Sequence, residues 1–197
     1  MAELNESLPP PTPSADFRRR LAQRRSAPAQ ALAAPGPSDA ELEKILTLGA
    51  RTPDHGKLFP WRFVVLGPRT RAEIAEKLAV LAELRDKPVK DQAVLAKLTA
   101  APVTILVISA PVPHAKPVWE QQLSAGAVCM NLEHAAGSFG YSASWITDWY
   151  SYDVQAIRLF GVQAGESVAG FIHIGTLPEP ALERPRPDMS AKVTRLP

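Results

Sequence analysis

Two rhythms of apolar positions run along this chain, one helical and one of short continuous runs. Behind Ser38-Asp-Ala-Glu41, Leu42, Ile45, Leu46 and Leu48 recur at the spacing of an amphipathic helix. The tetrapeptide ahead of them is a capping box, in which Ser38 and Glu41 each satisfy a backbone N–H that the first helical turn leaves free. Further helices are predicted over 14–25, 70–84, 89–100 and 153–160, with Pro88 marking the break between the middle two. A long helix over 118–139 is too apolar to be expected on the surface. Val103 to Ser109 is a continuous apolar, β-branched run bounded by prolines, which predicts a central strand buried on both faces. Strands are also predicted over 63–66, 141–147 and 168–175. Residues 27–37 read as a Pro/Ala/Gly loop. Residues 1–13, with Pro9-Pro-Pro-Thr-Pro13, read as a disordered tail, leaving one domain over 14–197.

This succession of helices and short buried strands predicts an α+β fold, an α/β sandwich with a central mixed sheet flanked by helices. At 197 residues the chain suits one domain with a substantial core. Its net charge is only +2, with acids and bases interspersed, so no nucleic-acid or membrane partner is expected. There is neither an apolar run of membrane-spanning length nor a leader pattern, and a soluble, cytoplasmic protein is expected.

Candidate chemistry concentrates where the capped helix gives way to a strand, in Arg51-Thr-Pro-Asp-His-Gly-Lys-Leu-Phe-Pro-Trp-Arg-Phe63. Pro53 ends the helical pattern and leaves Asp54, His55 and Lys57 on an irregular turn, polar residues that packing alone does not require there. Two basic clusters lie at opposite ends of the chain, Arg24-Arg25-Ser26 and Arg184-Pro-Arg186. Each alone reads as a solvated helix end or an extended tail; together they suggest one shared anion. Neither Gly-x-Gly-x-x-Gly nor a P-loop is present, so a phosphate has to be held by side-chain guanidinium, whose planar fork pairs with it bidentately. The single cysteine, Cys129, falls in the apolar run Ala125 to Leu132 and reads as a core thiol. The four histidines show no metal-ligand spacing. Trp145, Trp149, Tyr150 and Tyr152 form an aromatic group that reads equally as core or as flat cover for a ligand ring.

Taken in order, Arg24-Arg25-Ser26, Arg51 with Pro53-Asp54-His55, Pro60-Trp61-Arg62-Phe63, Trp119-Glu-Gln with Ser124-Ala-Gly126, Trp145-Ile-Thr147, Gly170-Phe-Ile-His-Ile-Gly175 and the closing basic tail resemble the nitroreductase family of FMN-dependent oxidoreductases, its small members above all. The resemblance covers roughly residues 15 to 190. It departs at Phe59, where family members commonly carry Gln before the Pro-Trp pair.

The resemblance implies FMN as cofactor, NADH or NADPH as co-substrate, and a ping-pong transfer of hydride through flavin N5 to a small electrophile such as a nitroaromatic or quinone. Arg24, Arg25 and Ser26, together with Arg184 or Arg186, would hold the FMN phosphate. Trp145, Ile146 and Thr147 would line the isoalloxazine ring, and Arg51 and His55 would reach it from the partner subunit of an intertwined homodimer. Ala135-Ala136-Gly137-Ser138-Phe139-Gly140 would border the nicotinamide, although a small-residue helix end serving as a C-cap explains the same run. No catalytic side chain is implied, since the flavin carries the chemistry. The same fold hosts dehalogenation and azoline oxidation, and a flavin-storage protein without turnover is the alternative from another class.

Overall fold

The structure, a computed structural model, describes residues 4–196. Residues 4–13 lie exposed, outside any helix or strand; the first three residues of the expected disordered tail lie outside the described residues. The elements, in chain order, are α1 (Ala15–Gln23), α2 (Asp39–Gly49), β1 (Trp61–Leu66), α3 (Pro68–Leu84), α4 (Val89–Ala93), α5 (Ala96–Ala100), β2 (Val103–Ser109), α6 (Val118–Ser138), β3 (Ser142–Ile146), α7 (Val154–Leu159) and β4 (Ser167–Gly175). The capping box forms as the sequence predicts: Glu41 N–H donates to Ser38 Oγ and Ser38 N–H to the Glu41 carboxylate. Asp153 caps α7 by accepting from the backbone N–H groups of Gln155 and Ala156. The helix expected over 89–100 is instead two single-turn pieces, α4 and α5, because the chain turns at Val94–Leu95 to bury Leu95 and Leu98 under α3.

The strands form one four-stranded sheet in the order β1-β2-β4-β3, and every neighbouring pair is antiparallel. The mixed sheet expected from sequence is therefore not present among the described residues, and the connections explain why. Between β1 and β2 the chain goes out along α3, about 25 Å at 1.5 Å per residue, and returns through α4 and α5, so β2 starts beside the end of β1. The pairing of Leu66 with Thr104 records this. Between β2 and β3 the single passage of α6 makes the two strands run the same way, but β4 inserts between them and pairs antiparallel with both.

Alternation along the two central strands divides the core into two layers. Leu106 and Ile108 of β2 and Phe171 of β4 face Ile74, Leu78, Leu98, Tyr150 and Phe160; Ile105, Val107, Ile172 and Ile174 face Ile45, Val128, Cys129 and Leu132 of α2 and α6. Helices thus cover both faces, with β1 and β3 at the edges. Arg71 of α3, only 2% exposed, donates to the carbonyls of Leu98, Ala101 and Pro102 and to Thr104 Oγ1, tying the turn between α5 and β2 to the core. Thr104 Oγ1 in turn lies 3.0 Å from His173 Nδ1. Tyr150 and Trp149 are core aromatics, Tyr150 fully buried in edge contact with Phe171, whereas Trp145 and Tyr152 stay open to solvent. Among the described residues, no helix is long and apolar enough to cross a membrane. α6 buries one face against the sheet but leaves Val118, Trp119 and Leu123 exposed along its first half, and α1 buries nothing, with Phe17 and Leu21 open.

Candidate functional site

Residues from distant parts of the chain meet along the outer edge of β3. The segment following α1 runs beside that edge, where Ala27 N–H donates to Ala143 O at 2.9 Å. Ser26, Trp145, Ile146 and Arg184 line one groove of about 370 Å³, to which α5 contributes Lys97. That volume lies within the range of small-molecule sites. Arg186 is tied to the segment after α1, its Nη2 donating to Arg24 O at 3.0 Å while it pairs with Glu183 at 2.9 Å. The two basic clusters and the ring-lining strand predicted from sequence are therefore adjacent.

Their states differ. Arg24 is already paired: its Nη1 lies 3.2 Å from Glu133 Oε2 and 3.3 Å from Ser26 Oγ. Arg25 is half-buried and its Nη1, fully enclosed, has no hydrogen-bond partner among the described residues. A buried donor left unpaired costs free energy, and more so when charged. Trp145 is fixed at both ends, its backbone N–H donating to Glu133 Oε1 at 3.1 Å and its indole Nε1 to Ala169 O at 3.0 Å. Glycine makes room for it: a Cβ on Gly170 would lie 2.0 Å from Trp145 Nε1. Thr147 Oγ1, just past the strand, is bonded to Tyr152 OH at 2.8 Å.

Two groups the sequence did not single out belong here. Lys97 reaches the groove from α5, with its ammonium 3.2 Å from Asp148. Nothing in its spacing marks it off from the other charges of 83–97. Glu133 is 8% exposed in the middle of α6, and a lone acid in that apolar run was the available signal. Burial pushes its carboxyl above the usual range, while Arg24 and the Trp145 N–H draw it back. The neighbouring Cys129 is wholly buried, and burial pushes its thiol up to about 12, as a core thiol requires.

Arg51 and His55 do not join this groove within the chain. His55 Nδ1 sits 2.5 Å from Glu120 Oε2, and with Pro53, Asp54 and Ser124 the pair lines a separate depression beside the exposed start of α6. Asp54 holds the loop closed by accepting from Phe59 N–H at 2.7 Å, and both Lys57 and Phe59 adopt left-handed φ values. Ala135 to Gly140 end α6: Gly140 has φ +89°, and Tyr141 N–H returns to Ala136 O. That is a helix-terminating turn of the kind glycine favours, and it accounts for the small residues. Gly137 and Ser138 nevertheless border a cleft of about 300 Å³ that they share with Arg20, Arg24 and Arg25.

This fold is found in other proteins. The chain is 32% identical, over 159 residues, to the protein named "Putative NAD(P)H nitroreductase YdjA" of Escherichia coli strain K12, covering 79% of this chain and 85% of that one. It is 33% identical to a "Putative NAD(P)H nitroreductase" of Haemophilus influenzae, covering 74% and 80%. The crystal structure of a nitroreductase-like family protein from Bacillus cereus superposes with a TM-score of 0.79 at 20% identity, covering 95% of this chain and 99% of that one. A structure from Desulfovibrio desulfuricans, described as "a putative nitroreductase in complex with fmn", gives 0.73 at 20% identity over 94% and 99%. The sequence profile of the nitroreductase family matches residues 21–176, from the last turn of α1 to the end of β4, and this chain belongs to that family.

Proposed function

We propose that this protein is an FMN-dependent oxidoreductase that takes reducing equivalents from NADH or NADPH and passes them to a small electrophile such as a nitroaromatic or a quinone. The observation that carries the proposal is the meeting of Ser26 and Arg184 with Trp145 and Ile146 in one groove, with Arg186 bonded to the Arg24 carbonyl and Arg25 lining the neighbouring clefts. Anion donors at one end and flat apolar cover at the other match a phosphate joined to an aromatic ring. The phosphate is assigned to Ser26, Arg184, Arg186 and the unpaired Arg25 donor, with Arg24 adding charge from its pair with Glu133. Trp145 and Ile146 wall the ring, and Thr147 follows at the strand end. FMN, when bound, supplies the redox chemistry; the protein's task is to bind it, orient it and offer positive charge where the reduced ring becomes anionic. Lys97 is the groove's cation for that purpose.

Completion of the site is assigned to a second copy of the chain. His55 and Arg51 lie outside their own chain's groove, on a surface flanked by exposed Trp119, Leu123 and Phe59. An intertwined homodimer would cover that apolar surface and carry the His55–Glu120 pair to the partner's flavin. Gly137 and Ser138 are assigned to the nicotinamide side, and residues 14–197 to one cofactor-binding domain preceded by a short tail. The test is extraction of the bound cofactor, followed by steady-state oxidation of NADH and NADPH with a nitroaromatic and a quinone acceptor. FMN and acceptor-dependent turnover are expected; bound flavin without turnover would support storage instead.

A further inference from the structure

We propose that Glu133 is a positioning residue of the cofactor site, a single buried carboxylate that clamps the anion-binding segment 24–26 and the ring-lining strand β3 into one arrangement. This rests on the FMN reading above. Glu133 does not line the groove of Ser26, Trp145 and Arg184; it lines the separate cleft that holds Arg24 and Arg25. Its Oε2 receives Arg24 Nη1 at 3.2 Å, and the same nitrogen lies 3.3 Å from Ser26 Oγ. The Ser26 oxygen is thereby engaged as an acceptor, and its hydroxyl hydrogen is left to donate to a ligand. Its Oε1 receives the Trp145 N–H at 3.1 Å. β3 is an edge strand, so this N–H, on the side away from β4, has no further strand to pair with.

The residue type is informative. Burying a carboxylate is costly unless it is paired and hydrogen-bonded, and Leu132, one position earlier, shows what this helix uses where only packing is needed. Two donors converge on Glu133 from elements more than 100 residues apart, one of them charged. A leucine could accept from neither, and a glutamine carbonyl could satisfy only one. Burial holds the carboxyl above its usual range and the Arg24 charge opposes that, so the two groups keep each other in place.

The test compares wild type, Glu133→Gln, Arg24→Ala and the double variant by fluorescence titration of the apoprotein with FMN, with visible circular dichroism of the bound flavin as a second readout. Loss of a charge-assisted contact predicts that Glu133→Gln weakens FMN binding roughly tenfold or more. It should add nothing in the Arg24→Ala background, because the clamp acts on the phosphate end through Arg24. The glutamine still accepts from Trp145 N–H, so the dichroism of bound FMN should be unchanged, whereas Glu133→Leu should alter it as well. Unchanged or tighter FMN binding in Glu133→Gln, or an effect that persists in full without Arg24, overturns the clamp. A wild-type chain that takes up no FMN overturns the cofactor reading and the clamp with it; failure in the variants alone overturns only the clamp.

Discussion

Replacing Gly170 by alanine tests whether the Trp145 wall is set by backbone packing. The added Cβ would meet Trp145 Nε1 at 2.0 Å and Cδ1 at 2.3 Å, more than an ångström inside van der Waals contact. Gly170 lies in strand β4 without a left-handed φ, so the backbone accepts alanine and only the indole has to move. Moving it breaks the bond from Nε1 to Ala169 O, worth about 1 kcal/mol. Forcing the side chain off its rotamer costs about another 1 kcal/mol. A loss of about 2 kcal/mol lowers Tm by roughly 4–8 °C in a chain of this size. FMN affinity should fall roughly two- to tenfold, as expected for displacing an aromatic face worth about 0.5–1.5 kcal/mol beyond its burial. Thermal melts of apoprotein and flavin titrations measure both effects. The control is Gly170→Ala in a Trp145→Ala background, where the clash is gone and alanine should cost almost nothing. If it costs the same in both backgrounds, the close approach is not the reason for glycine at this position.

Ser26→Ala and Arg184→Ala should each weaken FMN retention roughly ten- to hundredfold, as loss of about 1.5–3 kcal/mol per charge-assisted bond predicts, with little change in the melting of apoprotein; fluorescence quenching checks this. Burial, with Arg71 and Lys97 nearby, lowers His173 to about 4, so it stays neutral in the fold while the unfolded chain takes up a proton near 6.5. Stability should therefore fall as pH drops from about 6.5 to about 4, by about 3 kcal/mol in all, and denaturant titrations across that range should lose this component in His173→Gln. Mixed dimers of one chain carrying Arg24→Ala with one carrying Arg51→Ala and His55→Ala should regain one flavin site, while each mutant homodimer is defective at both. Tagged co-expression with flavin counting reads this out, and a flavin-loaded, active monomer would remove Arg51 and His55 from the site.

Most of the fold was legible because local signals agreed with the tertiary outcome. The Ser38–Glu41 box, the apolar run 103–109 and the α6 pattern each had one structural solution, and each formed. The break between α4 and α5 was not legible, since Val94 and Leu95 fit a continuing helix and only contact with α3 turns the chain there. Strand direction was not legible either: it depends on how many helical passages separate two strands and on β4 entering between β2 and β3, neither of which is a local property. For the site, the two guanidinium clusters picked out segments that the fold brings together, and the order of motifs identified the family. Lys97 and Glu133 escaped because their significance lies in what they face, Asp148 in one case and Arg24 with Trp145 in the other. The state of Arg24, paired rather than free, was equally beyond the reach of spacing.

Anaerobic titration of the purified protein with NADH and with NADPH, after acid extraction has identified its cofactor, asks whether bound FMN carries electrons from a nicotinamide to an acceptor. The expected result is a yellow protein carrying about one FMN per chain, bleached by at least one of the two nicotinamides and recoloured by a nitroaromatic or quinone. A protein that takes up no FMN on reconstitution, or whose flavin neither nicotinamide reduces, would contradict it.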